Sequence, residues 1–466
     1  MVVYATIAPK KQAKEMENLL ANLKQVVCND TSLRYYQFEN KQKIYNEWQE
    51  YKSVMLQMPT GTGKTRLFVS IVKDILSCRM HDGIIPRVLL MVHRKELVSQ
   101  IADTLASYGL EYGIIQSKMP EVPSCHIQVA SVQSLVRRIK RWGRFGFDFI
   151  IVDEAHHTPS PTYIKILGAL PDSKLLGVTA TPHRLDYWGF AHIFDKLIES
   201  PAPMEFIKSG FLSNYDYYSV APDYELLGQI EEIPLEKGDF AEDYLLDLLD
   251  TIAIRAQIVD SYMKYGNGKK AIVYTINKAH NIHLCEEYRK RGIRAATIDC
   301  DTPSDERKFL LDAFKKGDIQ IICNVNILSE GFDCPDVEVI QLTRPTYSLS
   351  MYLQQVGRGL RASPGKSKAI FIDNVGSYLR LGLPSDHRSW EEYFNRKPMK
   401  IKPRTVEPSI SVNLPDGDID EGNDEMSLVY STAPEEEAVE KAIETSNTPK
   451  TVNKKLDPIL LLASYL

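Results

Sequence analysis

The chain has 466 residues, of which 44% are hydrophobic and 25% charged, and its formal net charge is -5 at pH 7. This length exceeds what one hydrophobic core supports, so we expect a globular protein of two or three domains. No apolar run approaches the ~18 residues of a membrane span and the start lacks a signal-peptide pattern, which predicts a cytoplasmic protein without a membrane partner. The 7 cysteines are scattered without a C-x-x-C pair, which argues against a zinc site or a disulfide framework.

Predicted secondary structure alternates between strands and helices along two stretches of the chain. After an amphipathic helix over residues 10–27, apolar strands and helical patterns alternate from 53 to 178 and again from 271 to 372. Strands that alternate with helices form parallel sheets with helices on both faces. We therefore predict an α/β fold with two tandem parallel-sheet domains and a short, acidic, largely irregular C-terminal tail.

A glycine-rich turn lies between the first predicted strand and the helix that follows it. Residues 57–65 read Gln-Met-Pro-Thr-Gly-Thr-Gly-Lys-Thr, a P-loop pattern in which Met58 stands where glycine is usual. Glycines let backbone N–H groups approach a phosphate, Lys64 and the helix N-terminus attract the anion, and the Thr65 hydroxyl can ligate Mg²⁺. We predict that ATP and Mg²⁺ are cofactors and that the nucleotide is bound by Thr60, Gly61, Thr62, Gly63, Lys64, Thr65 and Arg66.

Two neighbouring carboxylates end a later buried strand. Asp153 and Glu154 follow the apolar run Phe149–Val152, and the C-terminal ends of parallel strands face the ligand crevice. Asp153 is therefore predicted to hold the metal with Thr65, and Glu154 to take a proton from the attacking water. An isolated Asp-Glu pair is more often a solvated loop, but this pair follows a P-loop.

The second predicted domain has no P-loop, but a helical segment over 352–361 carries two arginines on one face. An NTPase needs positive charge on the departing γ-phosphate, and an arginine finger contributes on the order of 10³ to 10⁵ in rate. We predict that Arg358 and Arg361, with Gln354 of the same helix, are catalytic residues that act from across a cleft.

The order of these motifs resembles that of the superfamily 2 helicases. The motifs in chain order are Gln37, the P-loop, Val92-His93-Arg94, Ser131-Val-Gln133, Asp-Glu-Ala-His at 153–156, Thr179-Ala-Thr181, Glu330-Gly331-Phe-Asp333 and Gln354-x-x-Gly-Arg-x-x-Arg361. The chain is similar to DEAD/DEAH-box members over about residues 33–376. It looks most like the RadD-like group of bacteria and their phages, which is related to the UvsW and XPB-type DNA translocases.

This resemblance implies two RecA-like domains and a bacterial or phage-infected bacterial cell as the location. The expected division is an N-terminal helical extension over 1–30, RecA-like domain 1 over 31–200, a connector over 201–240, RecA-like domain 2 over 241–376 and a C-terminal extension over 377–466.

The resemblance also implies roles for individual residues. Gln37 is expected to read the adenine edge, although Tyr35 stands where relatives often carry proline. Gly331 and Asp333 are expected to approach the nucleotide from the second domain. The expected couplers of the γ-phosphate to domain closure are His156, Thr179 and Thr181. The expected nucleic-acid contacts are Arg94, Ser131, Gln133, Asn324, Ser329 and Arg344.

Three regions carry further expectations. The basic cluster 137–144 is either an exposed helix flank or a nucleic-acid surface on which Trp142 stacks a base. The acid-rich segment 416–444, with a helix predicted at 434–444, is either a solvated tail, a competitor of DNA or a site for a replication or repair protein. Between Asp333 and Gln354 there is room for only a strand and a loop, so a strand-separating hairpin must come from elsewhere.

These observations predict an ATP-dependent DNA helicase or translocase in replication, recombination or repair. Its substrate is expected to be single-stranded, forked or branched DNA without sequence preference. The alternatives are the motor of a restriction or defence system, an RNA helicase, and a DNA-clamping scaffold with a vestigial ATPase. No acidic D…E-x-K grouping of a nuclease is evident outside the motor, and every catalytic position of the ATPase is occupied.

Overall fold

The computed structural model shows two sheet-based domains and the segments that join them. The described residues are 16–23, 30–78, 84–185, 188–221, 224–329, 331–397 and 426–432. Residues 16–23 are helical, within the helix predicted over 10–27, and bury Leu19, Leu20 and Leu23. Among all the described residues, no helix is both long enough and apolar enough to cross a membrane.

The first domain is built on a sheet of seven parallel strands. The strands are β1 (Ser53–Gln57), β2 (Val88–Val92), β3 (Tyr112–Ile115), β4 (Ile127–Ser131), β5 (Phe149–Asp153), β6 (Lys174–Thr179) and β7 (Lys196–Glu199). The helices are α1 (Tyr35–Glu50), α2 (Lys64–Ser77), α3 (Lys95–Ser107), α4 (Val132–Trp142) and α5 (Pro161–Gly168), with 3₁₀ turns at Gly143–Phe145 and Ala155–His157. The strand order is β3-β4-β2-β5-β6-β1-β7. Strands β1, β2, β4 and β5 are buried along their whole length because helices cover both faces of the sheet.

The second domain repeats this architecture. Its elements are α6 (Pro203–Lys208), β8 (Asn214–Val220), α7 (Glu225–Glu231), β9 (Leu235–Glu236), β10 (Asp239–Phe240), α8 (Glu242–Leu249), α9 (Ile252–Tyr265), β11 (Ala271–Tyr274), α10 (Lys278–Lys290), β12 (Ala295–Ile298), α11 (Ser304–Lys316), β13 (Ile321–Asn324), β14 (Val339–Leu342), α12 (Leu349–Gly359), β15 (Lys368–Asp373), α13 (Ser377–Leu381), α14 (Trp390–Phe394) and β16 (Met426–Ser431). The large sheet has the order β12-β13-β11-β14-β15-β8-β16, and of its seven described strands only β16 runs antiparallel to its neighbour. The predicted fold class, with two tandem parallel-sheet domains, is confirmed.

The structure differs from the prediction at the edges of the second domain. The connector predicted over 201–240 contains β8, which lies inside the second sheet and buries Tyr215 and Tyr217 completely. The proline, glycine and acidic residues around this strand are typical of a linker, so the local pattern does not indicate the strand that Tyr215, Tyr217 and Tyr218 belong to. The C-terminal extension likewise contributes β16, an edge strand. The helix predicted at 434–444 lies outside the described residues.

A two-stranded hairpin lies at the start of the second domain. Strands β9 and β10 flank Lys237 and Gly238, whose φ angles are 52° and 86°. Asp239 anchors the hairpin, because it accepts hydrogen bonds from Thr346 Oγ1 and from Tyr347 N, both at 2.8 Å. Between Asp333 and Gln354 the chain has the expected strand, β14, then a loop and the start of α12.

A segment after α13 returns to the first domain. We call residues 383–397 the strap. Phe190 N donates a hydrogen bond to Phe394 O at 2.7 Å, and Gly189 N donates to Arg396 O at 2.9 Å. Phe394 itself is buried in the first domain's core beside Phe190 and Phe194. The strap therefore attaches the end of the second domain to the first.

The carboxyl ends of the central strands position the candidate site. The P-loop follows β1, Asp153 is the last residue of β5, and Thr179 is the last residue of β6. Because β5, β6 and β1 are neighbours in a parallel sheet, these three positions meet at one edge.

Candidate functional site

The P-loop forms a turn that depends on two glycines. Gly61 and Gly63 both have φ of 87°, a left-handed conformation that favours glycine. The Thr62 hydroxyl donates to Pro59 O at 2.6 Å, which closes the turn from inside. Lys64 begins α2, and its ammonium donates to Met58 O at 3.3 Å. The loop thus has the strand, turn and helix order that cradles a phosphate.

Helix α1 holds the P-loop from its other side. The Gln37 amide nitrogen donates to Thr62 O and to Gly63 O, both at 3.1 Å, and Gln37 Oε1 accepts from Arg34 N at 2.9 Å. The buried Tyr36 hydroxyl donates to Thr62 O at 2.9 Å. The structure therefore places Gln37 against the P-loop backbone, and its expected contact with adenine remains a prediction.

The Asp-Glu-Ala-His segment forms a buried polar cluster beside the P-loop. Glu154 has φ of 51°, and its N–H contacts Asp153 Oδ1 at 3.0 Å. His156 Nδ1 lies 3.1 Å from Thr179 Oγ1 and 3.4 Å from Glu154 Oε2. The Thr181 N–H in turn donates to Thr179 Oγ1 at 3.2 Å. The predicted general base and the predicted couplers thus belong to one connected network.

Charged groups from both domains lie near the Lys64 ammonium and affect its pKa. The pKa of this ammonium is lowered, and the main cause is the loss of solvent around it. The nearby carboxylates Glu154 and Asp153 oppose this effect, and the guanidinium groups of Arg358 and Arg361 add to it. The structure therefore brings these five predicted catalytic residues together around one point.

The two arginines are held by Ser329 and by the loop 331–336 of their own domain. Arg358 donates to Ser329 O at 3.0 Å through Nε and to Phe332 O at 2.9 Å through Nη1. Arg361 Nη1 donates to the same Phe332 oxygen at 3.1 Å and pairs with the carboxylate of Asp333. Burial and the neighbouring Arg358 charge lower the pKa of Arg361 to about 10, so the Arg361 side chain is cationic at neutral pH.

The domains approach each other closely at this point. Gly357 of α12 lies so near the P-loop that an added Cβ would be 2.7 Å from Thr60 Cβ. An added Cβ on Gly61 would be 3.2 Å from Arg361 Cγ. Real Cβ atoms are essentially never found at the shorter of these distances, so glycine at 357 permits the contact between domains.

The remaining residues predicted for the nucleotide site occupy different environments. Thr60, Thr65 and Gly331 are partly exposed, whereas Arg66 and Asp333 lie at the surface. Gln354 is 5% exposed within α12. Gly331 has φ of 71°, and its oxygen accepts a hydrogen bond from Gln100 of the first domain.

The residues predicted to contact nucleic acid are not grouped on one open surface. Gln133 is exposed, whereas Ser131 is fully buried and donates to Ser134 Oγ at 2.9 Å. Arg94 crosses between domains and donates to Ile327 O at 3.0 Å and to Asn326 O at 3.3 Å.

The second-domain candidates are also engaged within the protein. Asn324 is fully buried; its amide nitrogen donates to Val273 O at 3.1 Å and its oxygen accepts from Leu328 N. Ser329 is 4% exposed, and Arg344 forms an ion pair of 3.1 Å with Glu242. Asn324 therefore stabilises the turn after β13 through its hydrogen bond with Leu328 N. Its position in the sequence alone does not indicate this structural role.

The expectation that Trp142 stacks a base is wrong. Trp142 is fully buried and packs on Phe145 with ring centroids 5.3 Å apart. Two arginines of the same cluster, Arg138 and Arg141, each form an ion pair of 2.8 Å with Glu121. The single aromatic residue of this helix anchors it to the core, as expected for the apolar face of an amphipathic helix.

Two further residues at the site had not been predicted. Tyr274 ends β11 next to Arg358, Arg361 and Arg94, and burial raises the pKa of its hydroxyl so that it stays neutral. Lys366 contacts the end of α12. Neither belongs to a motif that we used, although the end of a parallel strand is a position where functional side chains are expected.

The fold and the site together define a class of protein. Two parallel-sheet domains enclose a P-loop, a buried Asp-Glu pair and two arginines supplied from the opposite domain, which is the architecture of a two-domain P-loop NTPase.

Comparisons with known proteins narrow this class. Residues 30–184 match the family described as type III restriction enzyme, res subunit, and residues 253–363 match the helicase conserved C-terminal domain. A Lactococcus phage protein described as "51.5 kDa protein" is 35% identical over 340 residues, which cover 73% of this chain and 69% of the phage protein. The chain belongs to the superfamily 2 helicases and is an ATP hydrolase.

Two more distant matches show how far this likeness extends. The Saccharomyces cerevisiae protein "Putative ATP-dependent helicase IRC3" is 28% identical over 340 residues, which cover 70% of this chain and 49% of that protein. The chain thus spans about half the length of this relative. The solved structure of the "ATP-dependent Type ISP restriction-modification enzyme LlaBIII bound to DNA" has the same fold, with a TM-score of 0.54 and 17% identity over 74% of this chain and 27% of that one.

Proposed function

We propose that this protein is an ATP-driven DNA translocase or helicase that remodels single-stranded, forked or branched DNA in replication, recombination or repair. The observation that carries the proposal is the contact between Gly357 and the P-loop, which brings Arg358 and Arg361 to the Lys64 side of the cleft. An ATPase whose catalytic groups lie on two domains is active only when the domains close. Hydrolysis and domain movement are therefore linked.

The roles proposed for the ATP site follow from its chemistry. Lys64 and the N-terminus of α2 bind the phosphates, and Glu154 accepts a proton from the attacking water. Arg358 and Arg361 stabilise the charge that develops on the γ-phosphate. His156 lies between Glu154 and Thr179, so it is suited to report the state of the nucleotide to the domain interface.

A divalent cation fits the same site. Thr65 and Asp153 supply oxygen atoms, which are the ligands that Mg²⁺ prefers, and Asp153 is 7% exposed beside the P-loop. When bound, the metal neutralises part of the phosphate charge. Thr65 and Asp153 would hold the metal ion, and the nearby Lys64 ammonium would neutralise part of the remaining negative charge on the phosphates.

Movement on DNA requires a grip on each domain. We assign one grip to the first domain, at Arg94 and Gln133, and another to the second, at Arg344. Ser131 and Ser329 are buried in this conformation and would have to become accessible before they could join these grips. Arg94 supports this assignment because it already bridges the domains through Asn326 and Ile327 oxygens, so a phosphate that competes for its guanidinium changes the interface. Contacts to phosphates ignore base sequence and weaken with salt.

The proposal is tested by nucleic-acid stimulation of the ATPase. The rate is measured without nucleic acid and with single-stranded DNA, forked DNA or RNA, and strand displacement is then compared with triplex displacement on matched substrates. We expect stimulation by DNA of at least about tenfold, since domain closure assembles the site. An ATPase indifferent to every nucleic acid contradicts the motor, and stimulation by RNA alone assigns the protein to the RNA helicases.

A second candidate function is the motor of a restriction or defence system. Two observations favour it: the match of residues 30–184 to a restriction subunit family and the shared fold with a restriction-modification enzyme. Cleavage of circular DNA, measured after incubation with the protein, ATP and Mg²⁺, distinguishes the restriction motor from the free translocase. Cleaved circles would support the restriction motor, whereas intact circles beside active triplex displacement would favour the free translocase.

A further inference from the structure

A lysine lies beneath the C-terminal end of α12. Lys366 reaches this place from a tight turn, in which its N–H donates to Ser363 O at 3.1 Å. Pro364 fixes the second position of the turn, and Gly365 takes φ of 82° at the third, the backbone pattern of a type II turn. The turn reverses the chain, so the Lys366 side chain points back at the helix.

The Lys366 ammonium joins the helix end to the loop 331–336. It donates to the carbonyl oxygens of Gly359 and Arg361, the latter at 3.0 Å, and lies 3.5 Å from Pro335 O. The last carbonyls of a helix lack intrahelical donors and carry partial negative charge, so a cation is favourable there. The loop 331–336 is the one whose Phe332 oxygen accepts from both site arginines.

We propose that Lys366 is a positioning residue for ATP hydrolysis: its charged ammonium fixes the end of α12 and the loop 331–336, and so orients the Arg358 and Arg361 guanidinium groups toward the nucleotide. Lys366 does not touch the reacting atoms. It acts through the two arginines, and the inference therefore rests on the catalytic role proposed for them.

The charge on this ammonium is lost close to physiological pH. Burial lowers the pKa of Lys366 to about 8, although Glu338 and Asp336 oppose the shift and Arg361 adds to it. The other charged or titratable groups near the ammonium are Cys334, which also opposes the shift, and Lys270 and Arg294, which line the same cavity of about 340 Å³. A neutral amine donates weaker hydrogen bonds than an ammonium, so the hold on α12 weakens as the pH rises through about 8.

Stability changes in the opposite direction over this range. The folded pKa of Lys366 is lower than its ordinary value of 10.5, so the unfolded chain binds more protons at this group between about 8 and 10.5. The contribution of Lys366 to the free energy of unfolding therefore increases as the pH rises through that window. A fall of kcat above pH 8 is thus not explained by Lys366-linked unfolding.

The test compares Lys366→Met and Lys366→Arg with Lys308→Met, a substitution at an exposed lysine of α11. For each protein, kcat and the KM for ATP are measured from pH 6.5 to 10, and thermal unfolding is followed at the same pH values. We expect Lys366→Met to lower kcat about tenfold or more with KM changed less than about threefold, because oriented arginines act mainly on the transition state. Lys366→Arg is expected to keep kcat and to extend it to higher pH, since arginine stays charged.

Arg358→Ala in the same assay separates the possible failures. A slow Arg358→Ala beside a Lys366→Met protein with the parental kcat and pH profile contradicts the positioning role alone. A parental kcat in Arg358→Ala contradicts the arginine finger and the positioning role together. If Lys366→Met unfolds, the parental and Lys366→Arg profiles decide: identical alkaline limbs contradict the inference, and a limb that shifts to higher pH in Lys366→Arg supports it.

Discussion

At the scale of single residues, the site is defined by opposite charges that two domains bring close together. Lys64, Asp153 and Glu154 come from the first domain, and Arg358 and Arg361 come from the second. Removing each charge from water costs free energy, and this cost is offset because opposite charges and hydrogen-bond acceptors surround the charge. This balance predicts that substitutions within the site change different steps of the same reaction.

Lys64→Ala and Glu154→Gln should separate nucleotide binding from hydrolysis. Loss of Lys64 removes the positive charge at the phosphates, so we expect weak ATP binding and no turnover. Glu154→Gln keeps the size and hydrogen bonding of the side chain but removes the base, so we expect near-parental ATP binding with kcat lowered about 10² to 10⁴-fold. Fluorescent-nucleotide titration and steady-state ATPase rates distinguish the two. Parental turnover by Glu154→Gln would show that another group is the base.

The placement of the P-loop and of Asp153 in the fold could be predicted from the sequence because local rules determine it. A P-loop depends on a strand, glycines and a helix within nine residues, and Asp153 depends on the end of a buried strand. The environments of Arg94, Asn324 and Trp142 depend on which neighbours the fold supplies, and periodicity alone does not provide them. Trp142 lies within a basic segment, but its position on the inner face of α4 determines its burial.

At the scale of elements, α12 and the P-loop meet across the cleft through glycine. The approach of Gly357 to Thr60 leaves no room for a side chain. The place of β8 in the second sheet could not be predicted from the sequence. Strand β8 pairs with β15, which lies more than a hundred residues further along the chain, and a local pattern does not encode such a pairing.

Gly357→Ala should impair closure without preventing folding. Its Cβ would lie 2.7 Å from Thr60 Cβ, so α12 must withdraw from the P-loop and carry Arg358 with it. We expect kcat to fall by about tenfold or more, with thermal unfolding changed little because the strain disappears when the domains open. Gly210→Ala provides a control for a glycine with open space around it, although its φ of 70° adds a small backbone strain. Equal rates for Gly357→Ala and the parent would mean that hydrolysis does not need this contact.

At the scale of the whole molecule, charge is distributed unevenly between the motor and the tail. The formal net charge is -5, and the stretch beyond residue 403 is rich in Asp and Glu. Within that stretch, residues 426–431 form β16 and pair with β8, so part of the acidic extension is attached to the second domain.

Removing residues 433–466 should tighten DNA binding at low salt if the acidic segment competes with DNA. This deletion keeps β16 and therefore leaves the edge of β8 covered. We expect the affinity gain to shrink as salt rises, because screening weakens the competition. Binding is measured by fluorescence anisotropy across a salt series, beside a full-length variant in which Glu435, Glu436 and Glu437 become glutamine. Equal affinities for the parent and both variants at every salt concentration would eliminate competition by residues 433–466.

The strap has a mechanical consequence for the motor. The chain passes from the first domain to the second between β7 and β8, and it passes back along the strap. The two passages are adjacent, because Glu391 N donates to Glu199 Oε1 at 3.1 Å. A pair of bodies joined at one flexible point can swing and twist in any direction, whereas two neighbouring attachments leave mainly rotation about the line that connects them. Each cycle of ATP binding and release would then repeat the same arc, which is the condition for steps of equal size along a strand.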